Sequence, residues 1–354
     1  MRKKPNLRLP LVPSFNPRGI QTTGSNFISP NIQGDQIKQN CLYEIGKNPI
    51  SGSGSVSLVK RPGVLQLAAT TFGISTQNAY AITMPWDGAI HNNSGVSDNP
   101  IVFNTLGKDV RANSTVLFSA SASNAYAPIY VEHTKISNLD VIVAQCIPLD
   151  LSLSIVDRTF FATSASAAWA EITDVDYPRS LAAGSHVHMD GYMFQMTSQN
   201  TIANSDLNSL SSWTAGNFIT KQIQQDFPRG LAKHKDKILA FGDRSVEVFY
   251  NAGNPSGSPL SGIKLQATNI GIAGRLRNVG GKYSATVLGK LYFFGRAGGG
   301  IDSEGIFSYD GANFIKVSPP FIDKYILNLG DGPVDINAFS FYGKNALAVS
   351  IPST

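Results

Sequence analysis

A hairpin of apolar strands recurs along this chain at intervals of about fifty residues, and a repeat of that length dictates a repeat architecture. The clearest copy is Lys237–Asn254, KILAFGDRSVEVFYNAGN, in which Ile238–Phe241 and Ser245–Tyr250 read as strands around a tight Gly242-Asp243-Arg244 turn. Val187–Met196 precedes it as a weaker copy. Ala285–Gly295, returning through Gly305–Tyr309, follows, and Phe339–Ser350 comes last. The turn before each copy's most apolar strand falls near residues 139, 191, 237, 290 and 344, giving gaps of 52, 46, 53 and 54 residues. That spacing suits blades of about four short strands, roughly 40–50 residues each, whereas a β-helix repeats faster and a sandwich shows turns every ~8–12 residues without the longer period.

The reading is therefore all-β: a β-propeller-like repeat domain of about 50-residue blades over residues 76–354, after an irregular N-terminal arm over residues 1–75. The composition agrees. Only 15% of the 354 residues are charged, against about 25% in a typical globular domain, and turn formers fill the gap. Further strands are expected at Ala79–Met84, Ser114–Ser119, Pro128–Val131, Asp140–Gln145 and Ser152–Asp157. The arm carries Pro17, Gly19, Gly24, Pro30 and Gly34, and Asn48–Ser57 reads as a flexible or hairpin loop. Phe321–Leu329 has the spacing of two helical turns. The final repeat stops after about one hairpin. A propeller must close or leave open edges, so the natural protein is expected to run on beyond this chain rather than to borrow strands from its N-terminus.

No apolar run approaches the ~18 residues of a membrane helix. The opening MRKKPNLRLPLVPSF lacks the apolar core of a secretory signal. Cys41 and Cys146 are too few and too distant for a disulfide framework, which fits synthesis in a reducing bacterial cytoplasm. Net charge is only +5, but it is segregated. Residues 62–220 hold five basic and twelve acidic side chains, while residues 221–296 hold twelve basic and four acidic. Such blocks suit a polyanion or an acidic protein subunit as partner, unless folding mixes them. Within the basic block, Lys233, Lys235, Lys237, Arg244, Arg275 and Arg277 are the candidate contacts to a subunit, an adaptor or DNA.

Candidate chemistry is thin. His186, His188 and Asp190 share one face if Val187–Met189 is a strand, which supplies three metal ligands of the four a closed site needs. A polar strand face ending in an Asp190–Gly191 turn explains them equally. His91, His133 and His234 read as surface residues. Ser205-Asp206 with Trp213 resembles the Asp-box loop of sialidase-type propellers, but that motif wants a glycine after the Asp and here Leu207-Asn208-Ser209 follow, so a turn capped by Asp206 over a packed Trp213 is expected instead. Gly295–Gly300 joins strands rather than opening a helix, so phosphate cradling is not expected. Asp302 and Glu304 read as solvated turn residues. No cofactor, no metal and no enzymatic activity are expected.

Three stretches together resemble the packaged-DNA stabilisation family of short-tailed bacteriophages, also called tail hub or nozzle proteins. They are Asn40–Glu44 leading to Lys60–Val64; Asp190–Phe194 with Asn204–Asn208 and Ser212-Trp213; and Ile238–Asn254 continuing to Asn269–Gly271, Gly289–Gly295 and Gly305–Val317. The resemblance implies a propeller-like structural virion protein in a homohexameric ring below the portal and adaptor rings. It would extend the DNA channel, help retain the packaged genome, let double-stranded DNA pass at ejection, and carry tail fibres, spikes or a needle. The oppositely charged blocks would then meet across a closing head-to-tail interface. The alternative is a carbohydrate- or receptor-binding propeller on the virion surface, with Trp169, Trp213 and Tyr192 stacking on sugars. A glycosidase-like propeller is disfavoured by the missing carboxylates.

Overall fold

The computed structural model describes residues 41–47, 54–60, 79–84, 101–106, 109–112, 115–119, 126–137, 139–148, 158–163, 166–179, 186–224, 226–272, 284–287, 289–297, 304–320, 322–323, 335–341 and 344–350. Two compact units emerge, one of Met1–Gly73 with Pro319–Ile322, the other of Ile74–Ser318 with Asp323–Thr354. In the first, β1 (Cys41–Lys47) pairs antiparallel with β2 (Gly54–Lys60). The segment expected to be irregular therefore contains one regular hairpin. Leu42, Tyr43 and Ile45 in β1 and the alternating Val56-Ser57-Leu58 in β2 are strand-forming residues that account for it locally.

The second unit is a succession of antiparallel meanders. The first sheet holds β3 (Ala79–Met84), β4 (Ile101–Leu106), β5 (Asp109–Ala112) and β6 (Thr115–Ser119). The second holds β7 (Tyr126–Ile136), β8 (Leu139–Pro148), β9 (Arg158–Thr163) and β10 (Ser166–Glu171). The third holds β11 (Val187–Met189), β12 (Tyr192–Met196), β13 (Thr201–Ser205) and β14 (Trp213–Thr220). The fourth holds β15 (Pro228–His234), β16 (Lys237–Gly242), β17 (Val246–Asn251) and β18 (Leu260–Gly262), followed by a 3₁₀ turn at Lys264–Gln266. The fifth holds β19 (Ile270–Ile272), β20 (Ser284–Val287), β21 (Lys290–Ala297), β22 (Glu304–Tyr309) and β23 (Phe314–Lys316), with β19 and β20 pairing successive parts of β21. Last come β24 (Asp335–Phe341) and β25 (Lys344–Ser350).

Four-stranded meanders in sequence order, each packed on the next, are a β-propeller. The repeat turns read from sequence fall in the hairpins between first and second strands. Ser137, Asp190, Gly191, Lys235 and Gly289 hold φ of 48, 52, 84, 57 and 73° there, the left-handed backbone that tight hairpins need. First strands gather at the centre, since β7 lies against β3 and β4, and β15 against β11 and β12. Fourth strands face outward. Every residue of β12 but Tyr192 is buried, whereas only Trp213 of β14 is.

The second strand of a blade is sandwiched between two neighbours, which is why KILAFG reads as a continuous apolar run. Ile238 and Ala240 pack against β11, β12 and β15 residues such as Met189, Phe194 and Leu231. Leu239 and Phe241 point the other way, onto Ile272, Leu291, Phe293 and Phe307 of the fifth sheet. Phe241 and Phe293 stand with ring centroids 5.0 Å apart, and Phe293 stacks on Phe307 at 5.9 Å. β12 repeats the device, with Phe194 and Met196 facing the fourth sheet and Met193 facing the second. Each such side chain contributes about 1.5–3 kcal/mol by leaving water. Gly271 on β19 meets the Asp243–Arg244 backbone so closely that a Cβ would collide with it, so this glycine lets the fifth sheet seat on the β16–β17 turn.

Helical backbone begins at Pro320 and continues at Ile322 and Asp323; the rest of Phe321–Leu329 lies outside the described residues, as do the Ser152–Asp157 strand, the Lys60–Val64 turn beyond Lys60, and His91. Truncating the double-sided core tests the packing. Phe241→Ala should lower unfolding free energy by about 3–5 kcal/mol, read from denaturant melts, whereas the exposed Phe218→Ala should cost well under about 1 kcal/mol.

Candidate functional site

The six candidate contact residues do not form one surface. Lys233 is exposed on β15, a central strand, and Lys235 is exposed in the turn that follows. Arg244 is exposed in the β16–β17 turn, at the opposite end of β16, about 20 Å away at ~3.3 Å per residue. Lys237 is half-buried and committed within the chain: its Nζ donates to the Gly311 carbonyl at 2.5 Å and to Gln266 Oε1 at 3.3 Å. Arg275 and Arg277 lie outside the described residues. Three members of the surrounding basic block are paired with carboxylates inside the chain. Arg229 pairs with Asp243 and Arg296 with Glu304. Glu304 is thus a half-buried partner of Arg296 across the β21–β22 ladder rather than a solvated turn residue, while Asp302 lies outside the described residues.

Lys221 is the extreme case, fully buried after β14. Its Nζ donates to Asp226 Oδ1 and to Ser245 Oγ, the latter at 2.5 Å. Asp226 Oδ2 also accepts the Arg244 backbone N–H at 2.6 Å. On the neighbouring strand the Glu247 carboxylate accepts the backbone N–H groups of Gln222, Ile223 and Gln224 at 3.1, 2.9 and 3.2 Å. These bonds fasten the connection from the third sheet to the fourth, and they leave its buried donors satisfied. Sequence reading missed them, although a lone Glu in Val-Glu-Val-Phe was the available signal.

The His186–Asp190 segment does not converge on a metal, and the described residues hold no group of three or more His, Cys, Asp or Glu placed to ligate one. His186 is fully buried, with Nε2 3.0 Å from Tyr177 Oη. That hydroxyl donates to Gln195 Oε1 at 2.5 Å and lies 2.6 Å from Thr159 Oγ1. Asp190 turns away into its hairpin, where Oδ2 accepts from Asn251 Nδ2 at 2.9 Å. His188 is half-buried near Glu132, a buried carboxyl on β7 that is hydrogen-bonded to the His188 backbone. Glu132, His188 and the Lys233 charge therefore line up across three consecutive central strands. Burial pushes the Glu132 carboxyl up to about 8, against the pull of Lys233. Burial also lowers His186 to about 4, and burial with the Lys233 charge lowers His188 to about 4. All three groups are uncharged near neutral pH, as a blade seam requires.

Of two other histidines expected at the surface, one is buried and the other only partly exposed. His234 is buried, its Nε2 2.7 Å from the Gly289 carbonyl and its ring edge-on to Tyr309. His133 is half-buried 2.8 Å from Asp140. The Asp206 turn forms as expected. Its carboxylate accepts from Ser212 Oγ at 2.6 Å and Thr214 Oγ1 at 2.9 Å, and Trp213 packs beneath it against Tyr177, donating Nε1–H to the Leu210 carbonyl at 2.8 Å. The aromatics proposed for sugar stacking are engaged in packing: Trp213 is buried, Tyr192 lies against the β11–β16 core and Trp169 against Cys146 and Phe160.

A family model described as bacteriophage P22 Gp10, β-propeller, matches residues 154–353. No curated protein matches the chain. Among solved structures, the chain is similar to BBS1N in complex with ARL6DN, at 9% identity and a TM-score of 0.42, covering 72% of each chain. It is similar also to an ancestral GH74 enzyme, at 12% identity and a TM-score of 0.41, covering 79% of this chain and 40% of that one. YCF48 bound to D1 peptide matches at 13% identity and a TM-score of 0.36, covering 78% and 80%.

The buried seam sets a pH dependence. Glu132 binds its proton more tightly folded than at its ordinary 4.5, so its contribution to stability falls as pH rises from about 4.5 to about 8. The histidines bind theirs less tightly folded than at 6.5, so theirs falls as pH drops from about 6.5 to about 4. With two histidines against one glutamate, the three groups together favour folding most near the histidines' ordinary 6.5. Melting temperature should decline from there toward pH 8, and Glu132→Gln should flatten that alkaline decline; an unchanged slope in the variant contradicts the assignment.

Proposed function

The chain belongs to the phage stabilisation family, described as bacteriophage P22 Gp10, β-propeller, and from that premise we propose that it is a subunit of the tail hub, or nozzle, of a short-tailed phage. It is a bacteriophage structural protein with a propeller fold. In the proposed role, copies form a six-membered ring below the portal and adaptor. The ring continues the DNA channel, helps retain the packaged genome, lets double-stranded DNA pass during ejection, and carries fibres, spikes or a needle. The role is mechanical rather than catalytic, and the protein acts in the virion tail after synthesis in the bacterial cytoplasm.

The observation that carries this reading is the family match, which runs from the second sheet through the last hairpin. The scatter of exposed basic residues also supports it. A channel that lets DNA move must not bind phosphates at many points, because each neutralised phosphate adds affinity, and here Lys235 and Arg244 lie at opposite ends of one strand. The sugar-binding reading has no support of this kind, since its three aromatics serve the packing.

The test is the size and shape of the purified full chain. Scattering mass and negative-stain micrographs should give a closed hexamer with a central opening. A monomer or trimer that retains glycan on an array would replace this reading with the receptor-binding one.

A further inference from the structure

Two large apolar side chains stand in solvent far more than any others described. Leu265 is 98% exposed and Val175 93%, while the next, Leu207, is 57% exposed. Both lie on connections that follow an outer strand, Val175 after β10 and Leu265 after β18, so both sit at the rim of the propeller. Their neighbours carry opposite charge. Val175 lies between Asp174 and Asp176, and Leu265 follows Lys264; Asp176 and Lys264 are both exposed.

Neither loop is loose. Asp174 Oδ1 accepts the Asp176 backbone N–H at 2.8 Å, and Asp174 Oδ2 accepts that of Trp213 at 3.2 Å. Leu265 is the middle residue of the 3₁₀ turn, whose Gln266 donates to the Gly311 carbonyl at 3.3 Å and accepts from Tyr309 Oη at 2.7 Å. An apolar side chain held in water on an ordered turn forgoes about 1.5–3 kcal/mol of burial, and it can be buried by a partner with little further ordering cost. Single exposed apolar residues are ordinary. Here the two most exposed ones occupy ordered rim turns of opposite charge, and that points to each other as partner.

We propose that the Asp174–Asp176 loop of one copy docks on the Lys264–Gln266 turn of the next, with Val175 against Leu265 and Asp176 facing Lys264. The inference rests on the ring reading above and names the surfaces that would build it. One copy presents both halves on different edges, so the contact is head to tail and extends until it closes. The loops follow the second and fourth of the six sheets described in this unit. The pair anchors the interface rather than completing it, since a stable one buries about 1,200–2,000 Å².

Charge exchange tests the docking. In the full chain, Asp176→Lys and Lys264→Glu should each weaken self-association about tenfold, read by light scattering across a dilution series. The two changes in one chain should restore it. If each single variant assembles like the unmodified protein, the docking is wrong while the ring stands; if the unmodified chain never assembles, the ring reading falls and the docking with it. Cysteine trapping gives a second measurement. Val175→Cys and Leu265→Cys in one chain should cross-link into a ladder of dimers and larger species under oxidation. Each variant carrying only one of the two added cysteines, in a Cys41→Ser background that leaves only the buried Cys146, should give no new product alone and dimers when mixed with the other. Absence of the ladder from assembled double-cysteine protein overturns the proposal.

Discussion

The fold depends on burying both faces of a blade's second strand at once. In β16, alternate side chains enter different cores, Ile238 and Ala240 toward the third sheet, Leu239 and Phe241 toward the fifth. A sheet with two apolar faces cannot stand alone in water, so each blade needs a neighbour on either side. The unbroken succession of packed blades follows from that need. Sequential packing then sets the rest: first strands meet at the centre, fourth strands keep water on one side, and the connections between blades run over the seams.

The seams are where polar groups become costly and informative. Burying Lys221 requires partners for its ammonium, and Asp226 and Ser245 accept two of its three N–H donors. Removing one member of such a pair leaves an uncompensated buried charge, at about 3–5 kcal/mol. The seam between second and third sheets takes the other route, with Glu132, His186 and His188 held uncharged by burial. Neither device resembles an active site, because its groups face one another across packing interfaces rather than converging on a cleft. They hold neighbouring blades rigidly against one another.

The blade period was legible because its signal is local. Turn residues with left-handed backbone, Asp190-Gly191 and Gly289 among them, punctuate apolar strands at a fixed interval. Outer strands were much less so. WTAGNFIT in β14 buries only Trp213, so no apolar alternation marks it, and nothing in the residues themselves sets it apart from a loop. Charge was misleading for a related reason. Lys233, Lys235, Lys237 and Arg244 are close in sequence, but a hairpin carries them to different ends and depths of one blade. Burial of His234 and Glu132 depends on neighbours dozens of residues away, which no local pattern encodes. The Asp206 turn over Trp213 was the exception, because its bonds close within eleven residues.

The central claim is that a family of stacked sheets has been put to use as a ring subunit in a phage tail. Its most direct test is a reconstruction of the intact particle's tail at a resolution that separates strands. The account predicts six copies of this propeller around the tail axis immediately below the adaptor, with rim connections after β10 and β18 meeting between adjacent copies. Density for the propeller only at the outer ends of fibres or spikes, away from the axis, would contradict it.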